Sequence, residues 1–308
     1  MEKSFLTNYT AFALKNFLQT IRSGLFDDQR LRLGWRVLLF VSLVILIGGI
    51  SLIPLVALIL ATWVMTGLVD RRPITSVGLL FNRATFPEMM AGVGFGALWF
   101  SLIFAVLFLL NQSEWMPGFM PEGVAQAVFV YVVIHISVAL LEELLIRGYL
   151  LQTLSESVGE WPALLITSLG FALFHLDNPN VNPISIINLS LAGLMLGAMV
   201  LKNKTLWAAI GFHFSWNFTQ GFIFGSPVSG VLFDDYFQRF TLNGPDWLTG
   251  GDFGPEASLL TTVMLGMATF WILRSYHWKP SEAAFKSWNT HVRPHRKWQV
   301  ALSKRPVS

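Results

Sequence analysis

The sequence predicts an all-α fold, a polytopic bundle of about eight membrane helices with both termini on the cytoplasmic side. Three observations carry that prediction. Hydrophobic residues make up 54% of the 308-residue chain and charged residues only 13%, with a mean hydropathy of +0.57; soluble domains carry roughly twice that share of charge. Several apolar runs approach or exceed the ~20 residues that a membrane helix needs. The third observation is the sorting of basic residues. Eight crossings put 19 of the 21 Lys and Arg on one side: six in 1–36, three in 70–84, two in 202–204 and eight in 274–308. Arg147 lies within a helix and only Arg239 falls in an outer loop. Such an asymmetry marks the cytoplasmic face.

The same sorting accounts for the net charge of +3 and the pI of 9.3. The basic residues face a lipid bilayer rather than nucleic acid, and no nucleic-acid partner is expected. Cysteine is absent, so disulfides and thiolate chemistry are excluded. The first strong apolar run begins near Arg36, too deep and too long for a cleavable signal peptide.

Residues 1–35 read as an N-terminal cytoplasmic tail, in which Phe5, Phe12, Phe17, Ile21 and Phe26 among basic residues also allow an interfacial helix. A membrane domain follows over 36–273. Its first apolar stretch, Arg36 to Val69, would be about 50 Å long as one helix, too long for a core of about 30 Å. Gly48, Gly49 and Pro54 at its middle predict a break into two helices. Further helices are expected over 86–110, 124–155, 160–175, 184–201, 205–221 and 256–273. Gly193 and Gly197 give the sixth helix a small-residue face for close packing. A turn-rich outer loop precedes the last helix, where Asp234, Asp235, Asp246 and Asp252 read as solvated. Residues 274–308, with His277, His291 and His295, form a basic, mobile tail.

The chemistry sits in Tyr131–Gln152, which is long enough to cross a bilayer yet carries Glu142, Glu143 and Arg147. Ionisable groups in hydrocarbon are costly, so they face a bundle interior and mark a site. Glu143 and Arg147 stand at i and i+4, acid first, the favourable order for an ion pair. Glu142 points about 100° away and needs another partner. Candidates are His175, one turn after Phe171, and His213 with Asn217 one turn beyond it. Counting ~1.5 Å per residue from the cytoplasmic ends puts Glu142, His175 and Asn217 about 20 Å deep and His213 about 14 Å deep. One layer of the membrane can hold all four. A carboxylate, two imidazoles and a carboxamide suit addition of water to a carbonyl, with Glu142 taking a proton and the others donating to the oxyanion. Glu142, His175 and His213 could instead hold Zn²⁺ with an open position. Spacing excludes a soluble-type HExxH zinc site, and neither a phosphate loop nor a nucleophile elbow is present. His135 shares a face with Glu142, although a structural hydrogen bond accounts for it; Asn188 reads as interhelical glue, and Trp207 and Trp216 as packing or interface anchors.

E-E-x-x-x-R at Glu142–Arg147, F-x-x-x-H at Phe171–His175 and H-x-x-x-N at His213–Asn217, in this order on separate helices, resemble the CAAX protease and bacteriocin-processing family of intramembrane endopeptidases. The resemblance covers about 120–222, and the phrases LWAAIGFHFSWNF and GPDWLTGGDFGPEAS also look like bacterial members. It implies that Glu142 is the catalytic base, that His175, His213 and Asn217 line the same cavity, and that Glu143, Arg147 and Phe171 support them. It implies as partner a membrane-associated protein or peptide substrate, and as location the bacterial inner membrane. Two other readings remain open: a non-catalytic immunity or scaffold protein, and a transporter or proton relay.

Overall fold

A computed structural model describes residues 19–20, 23–27, 30–50, 53–116, 123–233 and 236–291. The expected interfacial helix around Phe5, Phe12, Phe17 and Ile21, the loop residues Asp234 and Asp235, and the tail from 292 with His295 lie outside those residues. The chain divides into two compact units, 1–74 and 75–308.

In the first unit a two-residue strand β1 (Phe26–Asp27) pairs antiparallel with β2 (Arg30–Leu31). The long apolar run is two helices, α1 (Leu33–Ile50) and α2 (Pro54–Val64), the second continued by a π turn over Met65–Val69. Pro54 stands in the first turn of α2, where its missing N–H costs nothing. The break therefore falls where the Gly and Pro residues predicted it. Asp70, its side chain 1% exposed, lies beyond α2 with its carboxylate 2.8 Å from Arg36, 3.6 Å from Arg72 and 3.9 Å from Arg30. Asp70→Asn takes away the carboxylate that these guanidiniums share and should lower the stability of this unit by about 1–3 kcal/mol, read as a lower melting temperature in detergent.

The second unit contains the remaining helices: α3 (Thr85–Leu109), α4 (Val124–Glu143), α5 (Glu160–Leu173), α6 (Pro183–Asn203), α7 (Trp207–Phe218), α8 (Leu259–Arg274) and α9 (Glu282–His291). A π turn over Leu144–Leu150 carries α4 on into Leu151–Val158, and another over Thr219–Ile223 extends α7. Three helical stretches, Thr85–Leu109, Val124–Val158 and Pro183–Asn203, are long and apolar enough to cross a membrane; others, such as α5 and α8, are apolar but shorter.

Small residues set the helix spacing. A Cβ on Gly92 of α3 would overlap the carbonyl oxygen of Ala208 on α7, so these two backbones nearly touch. The face read in α6 does the same work: a Cβ on Gly193 would lie 2.8 Å from Ser168 Cα on α5. The start of α6 is fixed by Asn182 and Ser185, whose side chains each bond the other's backbone N–H.

Two regions differ from expectation. The outer loop is built rather than loose. Its strand β4 (Arg239–Leu242) pairs antiparallel with β3 (Ser113–Met116), bringing Ser113 opposite Leu242. The exposed Asp246 and Asp252 are solvated as expected, but Phe253 and Ala257 beside them are buried. The first part of the basic tail is a packed helix. Its helix α9 buries Ala284 and Trp288, and Lys204 lies 4.6 Å over the Trp288 ring. Sparse apolar residues at helical spacing are enough to dock it.

Candidate active site

Four segments of the second unit supply the site. From α4 come Glu142 and Glu143, with Arg147 following in the π turn. His175 sits just past the end of α5, in a turn rather than in the helix, and its backbone N–H donates to Ala172 at 3.1 Å. His213 and Asn217 stand one turn apart on α7. All of these except Glu143 and Arg147 line a cavity of about 390 Å³, together with Phe171 and His135.

The two acids have different partners. Arg147 Nη1 donates to Glu143 Oε1 at 2.8 Å, and both side chains are fully buried. The guanidinium also lies 4.3 Å over the Phe171 ring. Glu143 Oε1 accepts a second bond, from His213 Nδ1 at 3.0 Å. Glu142 looks the other way, as its 100° offset requires: its Oε2 is 3.9 Å from His175 Nε2 and 3.8 Å from His213 Nε2.

Hydrogen-bond bookkeeping then assigns the tautomers. His175 Nδ1 is 2.8 Å from the Phe171 carbonyl, which can only accept. Nδ1 therefore carries the proton, as it does in His213 against Glu143. Both rings turn Nε2 toward the Glu142 carboxylate. At 3.9 and 3.8 Å these contacts are too long for direct hydrogen bonds, and each gap is one that a single water can bridge.

The Zn²⁺ alternative asks for shorter spacings. Tetrahedral ligands at Zn–ligand distances of ~2.0–2.2 Å stand about 3.3–3.6 Å apart, closer than the separations here. Among the described residues no group of three or more His, Asp or Glu is arranged to hold a metal ion. The donor types suit the metal, and their separations are wider than its coordination sphere.

Glu256 is a cavity residue that sequence reasoning missed. Its carboxylate accepts from Trp216 Nε1 at 2.9 Å and from the backbone N–H and hydroxyl of Ser229 at 2.6 and 2.9 Å. Asn188 Nδ2 donates to its carbonyl at 2.7 Å, and Asn178, near His175, donates to Ser229 O at 2.9 Å. The outer loop is thus clamped to the segments bearing His175 and His213. Trp216 and Asn188, read as anchor and glue, serve this clamp. The one available signal was the acidic residue within GPEAS, which no local pattern distinguishes from a solvated one.

Fold and site together describe an apolar, mostly helical membrane protein with a carboxylate–imidazole cavity among its helices. Residues 124–219 match the family model described as type II CAAX prenyl endopeptidase Rce1-like, the same CAAX protease family that the three motifs resemble. The matched stretch is less than half of the chain and contains every motif residue. No curated protein and no solved structure matches the chain.

Proposed function

We propose that the chain is an intramembrane endopeptidase that hydrolyses a peptide bond of a membrane-associated protein or peptide with water activated by Glu142. The observation that carries this reading is the Glu142 Oε2 atom, 3.9 and 3.8 Å from the free nitrogens of two imidazoles in one cavity. Water held between them gives a proton to Glu142 while its oxygen adds to the scissile carbonyl. The Asn217 carboxamide donates to the oxyanion. The tetrahedral intermediate then expels the amine, which leaves with the proton that Glu142 accepted. Glu143 and Arg147 orient His213, and Phe171 holds His175 through its carbonyl and Arg147 through its ring. No step is routed through a metal.

The eight-span reading, with both termini cytoplasmic in a bacterial inner membrane, completes the proposal. A membrane-associated substrate is favoured by the cavity rim, where Ile134, Val138, Phe174 and Val231 are apolar and exposed. The test uses purified protein in liposomes with internally quenched peptides carrying an acyl or prenyl anchor. Cleavage without proton flux is the expected result. Flux without cleavage would establish the relay instead, and neither would leave a scaffold.

A further inference from the structure

The cavity extends well beyond Glu142. It is lined along α4 from Ile134 to Ile146, about 18 Å of helix. His135 lies on the same face as Glu142 and about 10 Å from it along the axis. The proposed reaction makes no use of His135. It is 2% exposed, and its Nδ1 is 2.8 Å from the Tyr131 carbonyl, so Nδ1 carries the proton and Nε2 of the neutral ring is a lone pair. That Nε2 is buried with no hydrogen-bond partner among the described residues. A buried acceptor without a partner is costly.

The surroundings of the ring are aromatic. Its centroid is 5.7 Å from Tyr131, 5.3 Å from Phe233 and 6.2 Å from Phe218. Beside Nε2 the chain carries Gly221, where even a Cβ would come within 3.4 Å of the nitrogen and 2.9 Å of Val228. No side chain from that position crowds the lone pair.

We propose that His135 and Phe233, which both line the cavity, form a substrate-specificity subsite for an aromatic side chain tipped with a hydrogen-bond donor, the tyrosine hydroxyl above all, at the third residue from the scissile bond. The proposal rests on the endopeptidase reading for its geometry. An extended peptide rises about 3.3 Å per residue, so a chain lying along α4 with its scissile bond at Glu142 brings its third residue to His135. The rings select a flat apolar body, and the lone pair selects the donor at its tip. Phenylalanine would fill the same space and leave Nε2 unpaired.

The test compares anchored peptides identical except for Tyr, Phe or Leu at the third position on either side of the cleaved bond. Glu142→Gln protein in nanodiscs reads binding by fluorescence anisotropy, and wild-type protein reads cleavage. Tyr peptides should bind about 10-fold tighter than Phe peptides and be cleaved about 10- to 100-fold more efficiently. His135→Phe should erase the difference. That variant replaces ring by ring, removing the unpaired acceptor together with the bond to Tyr131, and its melting temperature and helical content show that it is folded. Equal binding of Tyr and Phe peptides, or a Tyr preference that survives His135→Phe, overturns the subsite. Cleavage without any Tyr preference overturns the subsite and leaves the endopeptidase reading standing. His135-dependent Tyr binding with no wild-type cleavage supports the subsite and removes that reading.

Discussion

Glu142→Gln lowers kcat/KM for any cleaved peptide by about 10³-fold or more while leaving a folded protein, the loss expected when a general base is replaced by a near-isostere. Glu142 is the acid without an arginine. Arg147 is bonded to Glu143, and the nearest charged or titratable neighbours of Glu142 Oε2 are the imidazoles at 3.8 and 3.9 Å. Neutralising Glu142 therefore leaves the Glu143–Arg147 pair intact, and the amide fits the space of the carboxylate. The measurement is cleavage by mass spectrometry, set against melting temperature and helical content. Turnover that survives the substitution would rule out Glu142 as the base and return the carboxylate to a structural role.

Arg147→Met is expected to act mainly on stability. It leaves Glu143, which is fully buried, with a carboxylate whose only remaining bond is from His213. Breaking such a pair costs about 3–5 kcal/mol. Removing both charges together, as Glu143→Leu with Arg147→Met, should return stability to near the wild-type value, because buried pairs roughly break even against apolar residues of similar size. Activity should not return with it. The double variant takes away the acceptor that holds His213 Nδ1, freeing the ring to turn its lone pair from Glu142. Thermal unfolding and peptide cleavage measured on the same samples separate the two effects. A double variant that is both stable and fully active would show that the pair does not orient His213.

Much of this was legible in the chain because hydrocarbon makes polarity conspicuous. Glu142, Glu143 and Arg147 stand out in an apolar run, their spacing alone separates the paired acid from the other, and His175, His213 and Asn217 are visible for the same reason. The break before Pro54 could be read from local turn chemistry. What stayed hidden depends on contacts distant in sequence. Glu256 is buried only because Trp216 and Ser229, 40 and 27 residues away, donate to it. The pairing of β3 with β4 joins segments separated by most of the second unit, and Ser113–Met116 has no alternation that announces a strand. A structural hydrogen bond was expected for His135, but its partner Tyr131 and the unpartnered nitrogen on the far side of the ring were not. Whether such a nitrogen finds a partner is decided by the outer loop and α7.

The π turn at Leu144–Leu150 has a bearing on how this membrane span can change. A wider turn accommodates an extra residue, which offsets the angular phase of everything after it from everything before. The stretch bearing Glu142 is thereby decoupled in rotation from the stretch that reaches Val158. Substitutions that re-aim the far end against its neighbours need not swing the carboxylate away from its imidazoles. Deleting one residue from the turn would lock the two halves into a common phase, and one of them would then face the wrong way.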